Sequence, residues 1–383
     1  MRVTVAVGTR PEVIKIAPVV TALRAIDIGV RVIHTGQHTS ATLAQDLELE
    51  CGLHVDDRWT LPEPASARLA SIFEQSLNEF ATVPTDAAIV LGDTWTVPLI
   101  ALAARSHHVP VVHVEAGLRS GNQCSQEEVN RKMVASVASL HLAPTEWAAA
   151  ELRNEGVSQG SIVVTGNPAT DALLATAIER TPHANRNGVL FTAHRASNVD
   201  DENTLTEIIT IVEGLANTIG DVTFPVHPRT FERLTRFGLL SRTQQAARVV
   251  EPLPYQTLLR QLASSRLVVT DSGGLQEEAA WFAVPTIVLR ATTPRPEGVA
   301  LGFARLAGVN TTRVLQHASE LVHPEALTRI QSLACPYGDG HTAPRIARAV
   351  AEAFSTGRLR LREPALISAV ADDTVRTESR DAA

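Results

Sequence analysis

An α/β fold of two doubly wound parallel-sheet halves is predicted by three features of this chain. Short β-branched runs alternate with amphipathic or Ala-rich helical stretches along most of its length. The rhythm breaks at 180–188 (RTPHANRNG), where Pro, Asn and Gly interrupt both periodicities. The length, 383 residues, exceeds what one ordinary core organises, so two domains are expected.

The elements follow in order. Strands are predicted at 3–7, 30–35, 88–91, 110–114 and 162–165 in the first half, with helices at 13–25 and 98–105 among them. In the second half they are predicted at 189–192, 222–226, 248–251, 267–270 and 286–289. The first domain is taken as 1–180 and the second as 188–360. Residues 361–383 form a polar tail with too little apolar content to offset the cost of ordering.

Composition narrows the function classes. With 44% hydrophobic and 20% charged residues the chain is folding-competent and globular. Lys plus Arg number 34 and Asp plus Glu 41, a formal charge of −7. That argues against a broad nucleic-acid surface, so any bound phosphate must be met by a local site. Cys51, Cys124 and Cys335 read as free thiols of a reducing compartment. The N-terminus enters a strand without a signal-peptide pattern, and no apolar run approaches the ~18 residues of a membrane span. A cytoplasmic protein without membrane attachment is expected. No metal is expected: His34 and His38 are four apart, but they straddle a strand end and lack third and fourth ligands.

In open parallel sheets ligands bind beyond the carboxyl ends of the strands, and those loops are polar here. Asp271-Ser272-Gly273-Gly274 follows the strand RLVVT and opens a helix. Its backbone N–H groups and the helix dipole suit an anion, the Ser272 hydroxyl adds a donor, and Glu278 suits ribose hydroxyls. The same residues also read as an ordinary capped strand–helix turn. Neither a GxGxxG nor a GxxxxGK[ST] pattern occurs, so dinucleotide and P-loop readings lose their main support. Arg10, with Lys15 a turn further on, places cations at the first strand end. Arg295 sits in a Pro-flanked loop and suits pyrophosphate.

Asp93, Glu115 and Glu127 are the acid–base candidates. Glu115 ends the apolar run PVVHVEAG, where a carboxylate needs either partners or a raised pKa. Glu127 and Arg131 are spaced i, i+4, which by itself also fits a surface ion pair. His194 ends the strand GVLFTA and suits phosphate neutralisation or proton shuttling.

Taken together, these segments resemble the bacterial UDP-N-acetylglucosamine 2-epimerases of the non-hydrolysing type. The matching stretches are GTRPEVIKIAP (8–18), TGQH (35–38), LGDT (91–94), HVEAGLRSGN (113–122) and EEVNR (127–131) in the first half. VTGN (164–167), AHR (193–195), DSGGLQEEA (271–279), TTPRPE (292–297) and PYGDG (336–340) follow in the family's order. The resemblance implies GT-B architecture: two Rossmann-like domains with the active site in the cleft between them. It also implies reversible conversion of UDP-N-acetylglucosamine to UDP-N-acetylmannosamine without a cofactor, through 2-acetamidoglucal, by a homodimer. The family's catalytic positions fall on Asp93, Glu115, Glu127, Arg131 and His194. Its nucleotide positions fall on Arg10, Lys15, His194, Ser272, Gly273, Gly274, Glu278 and Arg295.

Three departures bear on regulation and outcome. Thr39-Ser40 replaces Arg followed by Glu or Gln in the segment that contributes to an allosteric site in many bacterial members. The loop 122–126 is about two residues short of the common form, and Ala196-Ser197-Asn198 replaces the usual Arg-Glu-Ser or Arg-Glu-Asn. A hydrolysing epimerase, a modified UDP-sugar as substrate, a GT-B glycosyltransferase and a catalytically silent sensor therefore stay open as alternatives.

Overall fold

The computed structural model describes residues 1–37 and 47–361. The expectations for His38, Thr39-Ser40 and the tail from 362 onward lie outside the described residues. Among the described residues no helix is long and apolar enough to cross a membrane.

The first sheet contains β1 (Arg2–Val7), β2 (Gly29–His34), β3 (Asp57–Arg58), β4 (Ala87–Leu91), β5 (Val111–Val114), β6 (Leu140–Ala143) and β7 (Ile162–Val164). Their spatial order is β3-β2-β1-β4-β5-β6-β7. The second sheet contains β8 (Val189–Thr192), β9 (Val222–Pro225), β10 (Arg248–Val250), β11 (Leu267–Thr270), β12 (Thr286–Val288) and β13 (Ala304–Leu306), ordered β10-β9-β8-β11-β12-β13. Every pairing is parallel. In each sheet the strand order reverses beside the first strand, between β1 and β4 and between β8 and β11. Those two switch points open the crevices in which ligands bind.

The alternation of side chains along each strand explains the layers. Val3, Val5 and Val7 of β1 pack on Val13, Ile16 and Val20 of the helix Arg10–Arg24. Ala6 points to the other face, with Val90, Ile100 and Ala104. In the second sheet Phe191 and Phe224 meet edge to face at 4.9 Å on one side. Leu190 and Val268 cover the other with Leu259 and Phe282.

Three elements escaped the sequence reading. β3 and β13 are very short, and β6 (LHLA) holds no β-branched residue. The domain limits also need one correction. The helix Thr342–Ser355 lies within the expected second unit, yet Ile346, Ala347 and Val350 are buried in the core of the first. Its start is held by Asp171, whose carboxylate accepts from the N–H groups of Thr342 and Ala343 at 2.9 and 2.8 Å. The stretches VTGN and PYGDG build this return. Asn167 N–H donates to the Tyr337 carbonyl at 2.8 Å. Gly166, at φ +98°, lies where a Cβ would come 2.4 Å from Thr342 Oγ1. Two Rossmann-like sheets joined this way constitute the expected GT-B architecture.

Candidate active site

The helix Arg10–Arg24 starts at the β1 switch point, and the two N–H groups just before it are already engaged. Glu12 Oε2 accepts from Gly8 and Thr9 N–H at 2.7 and 2.9 Å, and Thr94 donates to Oε1 at 2.6 Å. Burial pushes the Glu12 carboxyl up to about 7. Glu12 therefore occupies the turn that leads into this helix, and Arg10 stands half-exposed beside it.

Asp93 follows β4 and is bonded by an Arg131 guanidinium N–H. Burial opposes its charge, but Arg131 and Arg295 outweigh burial and hold its carboxyl below the usual range. Arg131 is itself buried and also donates to Glu128 at 2.9 Å. Glu128 in turn accepts from Ser120 N–H at 2.9 Å. The i, i+4 reading of Arg131 is thus corrected: its partners are Asp93 and Glu128, not Glu127, because Asp93 arrives from the neighbouring strand.

Glu127 points across the cleft instead. Ser125 donates to it at 2.5 Å, and Arg195 of the second half lies 3.2 Å away. These partners outweigh burial and lower its pKa. Glu115 ends β5 in a left-handed backbone conformation, φ +62°, one that L-residues adopt rarely and near functional sites. It is buried, and Lys15 Nζ sits 2.6 Å from its Oε1. The structure thus answers burial at Glu115 with a partner.

In the second half His194 follows β8 and Asp271 follows β11. Asp271 is fully buried and faces back to the neighbouring loop. It accepts from the N–H groups of His194 and Arg195 at 3.0 and 2.9 Å and from Asn198 Nδ2 at 3.1 Å. His194 Nδ1 lies 3.1 Å from Asp271 Oδ1, so Nδ1–H donates and the ring's other nitrogen is left for a ligand. Ser272 is the N-cap of the helix Gly273–Trp281, accepting from Leu275 N–H at 3.4 Å. Its own O–H remains a donor, so the cap leaves this helix start able to receive an anion.

Gly273 makes room for Arg295: a Cβ there would lie 2.8 Å from Nη1 and 3.0 Å from Cζ. Glu278, in the second turn of the same helix, is half-buried near Tyr255, and burial together with Glu277 pushes its carboxyl up to about 7.

Two residues went unnoticed in the sequence. Glu277 is buried and binds Lys15 at 2.9 Å and Arg295 at 2.8 Å. It sits beside Glu278 in Gln276-Glu277-Glu278, and nothing local distinguishes the two. Arg290 follows β12, and its buried Nη1 has no hydrogen-bond partner. Burial and the facing Arg195, Arg295 and Arg131 lower its pKa to about 10. Such a concentration of guanidinium groups suits a multiply charged anion.

The family model for UDP-N-acetylglucosamine 2-epimerase matches residues 21–351. The chain belongs to the UDP-N-acetylglucosamine 2-epimerase family. The Bacillus subtilis UDP-N-acetylglucosamine 2-epimerase is 36% identical, over 90% of this chain and 94% of its own length. Among solved structures, the Methanocaldococcus jannaschii UDP-GlcNAc 2-epimerase in complex with UDP-GlcNAc and UDP superposes with a TM-score of 0.84 at 31% identity. That match covers 92% of this chain and 100% of the other. The Neisseria meningitidis UDP-GlcNAc 2-epimerase bound to UDP-GlcNAc gives a TM-score of 0.82 at 28% identity, covering 93% and 100%. In this epimerase-family chain, Asp93 and Glu115 lie at first-half strand ends and Glu127 in the first turn of the helix Gln126–Val137, opposite the His194, Ser272 and Arg295 loops of the second half.

Proposed function

We propose that the protein interconverts UDP-N-acetylglucosamine and UDP-N-acetylmannosamine by eliminating UDP to 2-acetamidoglucal and adding it back. The observation that supports this most is that first-half carboxylates reach second-half cations across the cleft: Glu127 lies 3.2 Å from Arg195, and Glu115 is joined through Lys15 to the Glu277–Arg295 pair beside the Gly273 helix start.

The C2 proton is not α to a carbonyl, so its removal needs C1–O cleavage to run ahead. The C1–O electron pair leaves with the β-phosphate, C1 gains oxocarbenium character, and the acidified C2–H passes to a carboxylate. The C1=C2 bond forms, and the reverse sequence protonates the opposite face of C2. Asp93 and one or both of Glu115 and Glu127 carry the proton. Arg10, Lys15, His194, Arg290, Arg295 and the Ser272-Gly273-Gly274 helix start stabilise departing UDP, while Glu278 meets the ribose. Arg131 keeps Asp93 ionised and oriented.

The test is incubation with UDP-N-acetylglucosamine alone in D2O, followed by NMR. The proposal requires UDP-N-acetylmannosamine deuterated at C2. Free N-acetylmannosamine plus UDP would replace it with the hydrolysing reaction, and no exchange or UDP release would overturn both.

A further inference from the structure

We infer that Glu277 is a positioning residue that links the nucleotide end of the site to its acid–base end. This inference rests on the epimerase reading above. Glu277 lies on the helix Gly273–Trp281, whose first turn is the candidate phosphate site. Both oxygens of its carboxylate are taken by cations from opposite halves of the molecule. Oε1 accepts from Arg295 Nε at 2.8 Å, and Oε2 accepts from Lys15 Nζ at 2.9 Å. Lys15 then reaches Glu115 at 2.6 Å. The chain Arg295–Glu277–Lys15–Glu115 thus alternates in charge and crosses the cleft.

Stability alone is a poor reason for this arrangement. Glu277 and Glu115 side chains are 1% and 5% exposed, and Lys15 and Arg295 are 10% and 9% exposed. Desolvating that many charges offsets most of their mutual attraction, so well-packed apolar residues would serve a core as well. Location supplies the reason. One end of the chain, Arg295, lies against Gly273, where pyrophosphate would bind. The other end is a carboxylate placed for proton transfer. A phosphate that draws on Arg295 loosens that guanidinium from Glu277, and Glu277 then bears more fully on Lys15. Glu277 therefore sets where Lys15 stands relative to Glu115 according to whether the leaving group is bound.

The test compares wild type with Glu277→Gln, Glu277→Asp, Lys15→Met and the Lys15→Met/Glu277→Gln double variant. It measures UDP binding by calorimetry, melting temperature, and kcat for C2 epimerisation. In E277Q, Arg295 loses its competing carboxylate, so UDP should bind at least as tightly as to wild type. Meanwhile kcat should fall about 100-fold, the scale set by an ångström of misplacement. E277D, which keeps the charge, should recover part of that loss. The double variant should be no slower than Lys15→Met alone, since both act through one contact.

Unchanged kcat in E277Q would overturn the inference. So would additive losses in the double variant, or a joint collapse of UDP affinity, melting temperature and kcat, which marks a plain structural ion pair. A wild-type protein that does not epimerise would remove the underlying reading, and this inference with it. Wild-type epimerisation with an indifferent E277Q would remove the Glu277 role alone.

Discussion

Glu127 Oε1 lies 3.2 Å from Arg195 Nη2, and this contact ties the first-half helix Gln126–Val137 to the second-half His194–Arg195 loop. Both side chains are partly exposed, at 36% and 27%. A pair so placed adds little to stability, under about 1 kcal/mol. Under the proposed function it orients Glu127 as the halves close on substrate. Arg195→Ala should therefore leave the melting temperature within about 4 °C of wild type. Its kcat for epimerisation should fall by about an order of magnitude or more. Equal kcat with a large drop in melting temperature would assign Arg195 to the scaffold instead.

Asp93 and Arg131 separate chemistry from support. Asp93→Asn should fold normally and lose about 100- to 10,000-fold in C2 hydrogen exchange, as expected on removing a general acid or base. Arg131→Ala leaves Asp93 and Glu128 without their shared cation. It should cost about 3–5 kcal/mol in chemical denaturation. Without that cation the Asp93 carboxyl rises, so the acidic limb of the pH–rate profile should move to higher pH.

His113 gives the fold an acid dependence with a definite sign. Its ring is fully buried on β5, and burial pushes its pKa from 6.5 down to about 3. Between those values the unfolded chain takes up a proton that the folded chain refuses. The His113 contribution is therefore lost as pH falls below about 6.5, by about 1.4 kcal/mol per pH unit. Urea titrations of wild type and His113→Gln should show a stability difference that shrinks along this slope from pH 6.5 towards pH 4. A difference constant over that range would mean that His113 is protonated in the fold.

Arg290 predicts a trade between stability and affinity. Its Nη1 is buried without a hydrogen-bond partner and its charge is opposed by Arg195, Arg295 and Arg131, so Arg290→Met removes a repulsion that the free protein bears. The variant should melt no lower than wild type. Its UDP affinity should weaken by about 1.5–3 kcal/mol, the worth of hydrogen bonds to a charged group. Calorimetry with UDP decides it, and unchanged affinity would place Arg290 outside the nucleotide site.

Much of this molecule was legible before its fold was known, because the signals are local. The apolar runs of β1, β4, β8 and β11 and the Gly-rich polar turns after them announce parallel strands with loaded carboxyl ends. Asp93, Glu115, His194 and Ser272 were recognisable there as residues that a buried strand end does not need. β3 escaped because two polar residues, Asp57 and Arg58, carry no periodic signal. Nothing local in Thr342–Ser355 says which sheet its apolar face covers, and that was left to the packing.

By itself the sequence determined the two doubly wound halves, the polar loops at their strand ends and the residue types placed on them. Tertiary structure alone decided the partners. Arg131 chose Asp93, 38 residues away, over the convenient Glu127, and Lys15 found Glu277 at a separation of 262. The physical reason is that periodicity and turn chemistry act over a few residues. Charge pairing in the cleft depends instead on which strand ends the sheets bring within hydrogen-bond reach. Glu277 and Glu278 are neighbours on one helix about 100° apart around its axis, so only the packed halves could tell the buried link from its half-exposed neighbour.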